Sequence, residues 1–116
     1  MYAYEIPGLR FSLPAGGAVA RNRFVSVAND KAIQATASTK IVGVSMNEVT
    51  ADELTKNDRI VEIADGLMIV EAGAAVASGA SVASDASGRA ITAADNGIGV
   101  AITAATEAGQ LITVKI

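Results

Sequence analysis

The sequence predicts an all-β protein: a small β-barrel or β-sandwich of two similar halves, with at most one short helix in the 48–58 region. Three observations predict it. Short apolar runs alternate with polar residues, turn residues punctuate the chain at short intervals, and a set of blocks occurs twice in the same order.

The strands come first. Leu9, Phe11 and Leu13 alternate with Arg10 and Ser12, the period-two pattern of a strand with one buried face. Ile60 to Ile63 and Leu111 to Ile116 are rich in β-branched residues, which strands favour. Turn signals lie between such runs at Pro14-Ala15-Gly16-Gly17, Asn29-Asp30, Asn57-Asp58, Asp65-Gly66, Ser87-Gly88 and Asn96-Gly97. Thr50 and Glu53 have capping-box spacing and predict one helical turn in an inserted surface loop, where the second half runs more directly from Thr103 to Gly109.

The repeat has a spacing of about 57 residues, too long for a solenoid unit and too few copies for an array. Gly8-Leu9-Arg10-Phe11 is matched to Gly66-Leu67-Met68-Ile69, and Ala15-Gly16-Gly17-Ala18-Val19 to Ala72-Gly73-Ala74-Ala75-Val76. Val27 to Asp30 is matched to Val82 to Asp85, and Lys31 to Ala35 to Arg89 to Ala93. Val42-Gly43-Val44 answers to Ile98-Gly99-Val100, and Arg59 to Ile63 to Gln110 to Val114. The expected organisation is an N-terminal arm, residues 1–7, and a single β domain, 8–116, whose repeats span about 8–63 and 66–116.

Composition closes off several functions. The net charge of −3, with no Trp and only two Phe and two Tyr, offers neither a cationic face nor a stacking platform for nucleic acid. Absence of both Cys and His removes disulfides, thiolate chemistry, the usual transition-metal ligands and the commonest general acid–base. Apolar stretches such as Leu67 to Val70 are too short to cross a bilayer as a helix, and Met1 to Glu5 carries no signal-peptide pattern, so an intracellular product is expected. The apolar share, 51 %, is mostly Ala, Val and Ile. Each Ala buries little area, so such a chain gains from covering further surface between subunits, and an oligomer or a docked state is expected.

Catalytic candidates are few. Asp52, Glu53 and Asp58 form the densest acidic group, but lack the spacing of a calcium loop and read as a solvated surface. The glycines at 16, 17 and 73 lead into strand-like runs without a following Gly-Lys-Ser/Thr, so they read as hairpin turns and not as phosphate cradles. Ser12, Ser45 and Ser84 stand outside any Gly-x-Ser-x-Gly elbow. Asp30 with Lys31, and Asp85 with Arg89, read as turn aspartates followed by solvated strand starts. No enzyme, cofactor, metal site or small-molecule substrate is expected. A small ligand-binding β-barrel module is the alternative; it requires polar side chains converging in a concavity near the hairpin from Ala72-Gly73 to Val82.

The N-terminal segment stands outside the repeat and holds both tyrosines and one of two prolines. Tyr offers apolar area and a hydroxyl at low entropic cost, and Pro7 stiffens the entry to the first strand. Tyr2, Tyr4, Ile6 and Pro7 are therefore the expected partner contacts.

Three stretches resemble the capsid cement, or head decoration, proteins of tailed phages: Pro14 to Val19, Ile41 to Ser45, and Gly66 to Ala90 followed by Ile98 to Ala101. The likeness runs from about Gly8 to Ile116. It implies a β-barrel-like fold on the outer surface of an icosahedral head, bridging neighbouring major capsid subunits. It also implies a homo-oligomer, with a trimer favoured, made in the host cytoplasm and ending in the virion. No catalytic residue is implied.

Overall fold

The computed structural model describes residues 3–37, 39–56, 58–95 and 97–116. Among them are nine strands: β1 (Ile6–Pro14), β2 (Phe24–Ala28), β3 (Lys31–Gln34), β4 (Gly43–Ser45), β5 (Ile60–Glu71), β6 (Ser81–Ser84), β7 (Ala90–Thr92), β8 (Gly99–Ala101) and β9 (Leu111–Lys115). One helical turn, α1 (Ala51–Leu54), lies between β4 and β5. The fold is all-β, as the alternation and turn residues predict.

The strands form one curled antiparallel sheet in the order β3-β2-β4-β5-β9-β8-β6-β7, with β1 paired to β5. β5 is central and belongs to both halves of it. Its first part pairs with β1 and β4, its second part with β9. The strands from β1 to the first part of β5 form a first lobe, and those from the second part of β5 to β9 a second.

The lobes share a ladder. Leu13 faces Val61 as Val70 faces Ile112, and Phe11 faces Ile63 as Met68 faces Val114. Val25 faces both Gln34 and Gly43, as Val82 faces Thr92 and Gly99. Each lobe curls until its edge strand returns to its opening strand through one parallel bridge, Ala15 with Ala32 and Ala72 with Ala90. A further antiparallel bridge closes each lobe, Val19 with Val49 and Val76 with Ala105. Curling in this way shields the edges that short strands otherwise leave open. Two lobes side by side give the molecule its elongation, 40 × 25 × 22 Å.

Glycine is required where the lobes pass into each other and where β4 and β8 cross the sheet. Gly66 sits mid-β5 at φ +102°, and an added Cβ would lie 2.8 Å from the Gly8 nitrogen. A Cβ at Gly43 would lie 2.7 Å from the Ala64 carbonyl oxygen, and one at the equivalent Gly99 would crowd the Lys115 carbonyl oxygen. Such positions exclude any side chain.

Two apolar clusters fill the molecule. The first lobe encloses Val19, Val25, Ala32, Val49, Val61 and Ile63, with Phe11, Leu13, Ala15 and Leu54 partly buried around them. The second lobe encloses Met68, Val70, Ala72, Val76, Val82, Ala90, Ile112 and Val114. That second cluster also takes Phe24, Ala35, Val44 and Ala64 from the first lobe. Successive side chains of a strand point to opposite faces, so Val61 and Ile63 serve the first core while Ala64, on the other face, serves the second. The outer face of the first lobe thus forms one wall of the second lobe's core.

Candidate functional site

The sequence-based site residues lie at the start of the chain. Tyr2 falls outside the described residues. Tyr4 and Ile6 are 39 % and 61 % exposed, and Pro7 is half-buried. Ile6 and Pro7, the last two residues of the expected arm, pair within the sheet as the start of β1. The extended register explains this: Ile6 pairs with Leu67 and Pro7 with Gly66. Proline at this edge position forfeits no ladder bond that an edge strand needs.

The arm is tied to the far end of the chain. The Tyr4 N–H donates to the Thr113 hydroxyl at 2.7 Å, and that hydroxyl donates back to the Tyr4 carbonyl at 2.7 Å. The Ile69 N–H donates to Glu5 Oε1 at 3.3 Å. Thr113 lies between the core residues Ile112 and Val114, so its side chain is on the outer face of the second lobe. With Tyr4 over it, Thr113 is fully buried.

Next to Tyr4 runs a cross-strand row. Ile6 pairs with Leu67, Leu67 with Lys115, Lys115 with Val100, and Val100 with Ser81. Directly opposed residues project from the same face, so these five side chains line one outer strip. Ile6 and Val100 (41 %) are among the exposed large apolar residues, and Leu67 is half-buried. Lys115 is exposed and makes no ion pair among the described residues. The sequence points to one end of this surface, Tyr4 and Ile6, and not to Leu67, Val100 and Lys115. Only strand pairing brings those three beside the arm.

The remaining candidates are structural. Glu53 closes the capping box, accepting from the Thr50 N–H at 3.0 Å while its own N–H donates to the Thr50 hydroxyl. The Thr50 N–H and hydroxyl hold its carboxyl below the usual 4.5, with smaller attractions from Arg59 and Lys56 and an opposing contribution from desolvation. Asp52 pairs with Lys56 at 3.1 Å, and Asp58 is exposed. Among the described residues no group of three or more carboxylates could hold a metal ion. Ser45 donates to the Ala20 carbonyl at 2.6 Å and Ser84 to that of Asp85 at 2.9 Å, so both buried hydroxyls complete backbone bonding.

Asp85 behaves as a turn aspartate, accepting from the Ser87 and Arg89 N–H groups. Arg89 is more than a solvated strand start. It reaches Asp85 at 3.3 Å and Glu71 at 3.4 Å, and Arg23 of the first lobe reaches the same Glu71 oxygen at 3.2 Å. Beside it the Glu71 N–H donates to the Asn22 carbonyl, and the Phe24 N–H to that of Gly88. This polar clasp joins the lobes at the rim of their shared core.

A groove of about 310 Å³ lies between the lobes, lined by Thr39, Ala83, Ser84, Ala93, Ala94, Asp95 and Ile98. Its size would admit a small ligand. Its hydroxyls, however, are committed to backbone carbonyls, Thr39 to Thr36 and Ser84 to Asp85.

The fold has a solved counterpart. The chain superposes on the head fiber gp8.5 N base of bacteriophage phi29 with a TM-score of 0.72, at 21 % identity, covering 91 % of each chain. At that identity the likeness establishes the fold. No curated protein matches the chain. The model of the phage cement protein family matches residues 6–116, which takes in both lobes and the strip described above, and the chain belongs to that family.

Proposed function

We propose that this protein decorates the outside of an icosahedral phage capsid and stabilises it by bridging neighbouring major capsid subunits, with no catalytic role. Membership of the phage cement family over residues 6–116 carries the reading. An exposed apolar strip on the second lobe supports it. Tyr2, Tyr4, Ile6 and Pro7 are the proposed contacts at the arm. The corresponding organisation is an arm, 1–7, and one domain, 8–116, built from a duplicated unit at about 8–63 and 66–116. A homo-oligomer, with a trimer favoured, would cover further apolar surface and match the local symmetry of a shell. Many identical sites on a shell convert modest contacts into firm attachment. The protein would be made in the host cytoplasm and end on the capsid outer surface.

Co-sedimentation with expanded heads tests this. Stoichiometric pelleting, together with heads that resist heat better when decorated, is the expected result. Failure to pellet, with free protein intact, would return weight to the ligand-binding module.

A further inference from the structure

We propose that the strip Ile6, Leu67, Lys115, Val100 on the second lobe, edged by Tyr4, is the surface that meets the shell. Its partner presents apolar side chains around a carboxylate that pairs with Lys115. The inference rests on the capsid reading above and names the face that performs it.

The chain itself shows what this position in the fold does. In the first lobe the equivalent row is Arg10, Ala64, Val44 and Phe24, paired in the same register. Ala64, Val44 and Phe24 are fully buried, because the second lobe's core covers them. The second lobe's row has apolar residues at Leu67 and Val100 and gains Ile6 from β1, and among the described residues no further core covers it.

A second copy is a poor occupant. Face-to-face docking of two identical strips would set Lys115 near Lys115, and like charges on opposed strands repel. Head-to-tail docking onto another copy's first lobe would repeat the contact that joins the lobes. That contact uses the Glu71 N–H, donated to Asn22, and the counterpart of Glu71 is Pro14, which has no N–H. It also uses the Phe24 ring, whose counterpart is Ser81, and Leu54 of the inserted turn already packs against the first core. A different protein is therefore the occupant. An ammonium group covered by apolar surface needs a counter-charge, and within the strip Lys115 has none; Glu5, at the edge, faces the Ile69 N–H. This chemistry defines the partner's carboxylate.

Co-sedimentation with expanded heads of three single variants tests the face. Val100→Glu and Lys115→Glu should each lower apparent affinity at least tenfold while melting like the parent. Val27→Glu, at an exposed position of the first-lobe strand β2, should pellet as the parent does. Lys115→Glu alters an exposed side chain outside both cores and keeps the test valid should Val100→Glu fold poorly. Zero-length carbodiimide coupling should join Lys115 to a shell carboxylate, and Lys115→Arg should keep binding but lose that cross-link. Parent-like pelleting of Lys115→Glu, or coupling through another lysine alone, would overturn the inference while leaving the capsid reading intact. Failure of the parent protein to pellet would overturn both.

Discussion

Phe24, Val44 and Ala64 in the first lobe occupy the same ladder positions as Ser81, Val100 and Lys115 in the second. The first three are fully buried and the last three are exposed. Neither the strand register nor the local alternation differs between the two rows, so the sheet itself does not set their burial. What differs is the neighbour. β5 crosses from one lobe into the other and turns the outside of the first into a wall of the second. The small residues of the joint core, Ala35, Ala64, Ala72, Ala90, Ala101 and Ala105, let backbones approach closely enough for one Phe ring to fill what remains. An Ala-rich chain thus obtains a dense interior by sharing it between two lobes.

The largest effect should come from that ring. Phe24→Ala empties the shared core and is expected to cost about 3–5 kcal/mol. Ser81→Ala, at the equivalent position, should change stability by less than about 0.5 kcal/mol. Urea unfolding of both variants reads the contrast directly. Equal losses at the two sites would mean that the lobes do not share a core as described.

The clasp offers a finer probe of the same junction. Glu71 binds Arg23 across it and Arg89 within the second lobe, whereas its counterpart Pro14 has no carboxylate to offer. Glu71→Gln keeps the shape and removes the charge that two partly buried guanidinium groups share. A loss of about 1–2 kcal/mol is expected, since hydrogen bonds to charged groups exceed neutral ones. Added salt should shrink the difference between parent and variant. A variant as stable as the parent at low salt would show that the backbone bonds of Asn22 and Phe24 hold the lobes unaided.

Much of this architecture is legible in the residues, and the rest is hidden for physical reasons. Alternation at Leu9, Phe11 and Leu13 marks β1, and the Thr50–Glu53 spacing marks α1. The register of the two halves is harder to read. Block matching set Phe11 against Ile69 and Val27 against Val82, whereas the ladder sets Phe11 against Met68 and Val25 against Val82. Strings of Ala and Val slide past each other at little cost in similarity. The two hairpins also differ: β2 and β3 turn tightly at Asn29 and Asp30 (φ 53° and 62°), while β6 and β7 are joined through Asp85 to Arg89. The strip is hidden for another reason. Its members come from four strands, and Tyr4 is tied to Thr113, 109 residues away. No local pattern carries information of that range.

The smallest expected effect concerns the one element that only the first lobe has. α1 brings Leu54 against the first core, where the second lobe needs no such cover because the first lobe supplies it. The turn is held by the Glu53 carboxylate, whose folded-state pKa lies below the usual 4.5. A depressed carboxylate pKa contributes stability that is fully present above the unfolded value and is lost as pH falls through the folded one. Protection of the Glu53 amide against hydrogen exchange, corrected for intrinsic rate, should therefore be constant near neutrality and decline below 4.5. Glu53→Gln, which keeps a neutral capping box, should remove that decline. Because α1 is a single surface turn with no buried residue, the global melting temperature should scarcely respond. A pH-dependent loss that reached the amides of Val19 and Val49 would instead mean that the turn is part of what closes the first lobe, and that the two lobes are capped by different means for the same purpose.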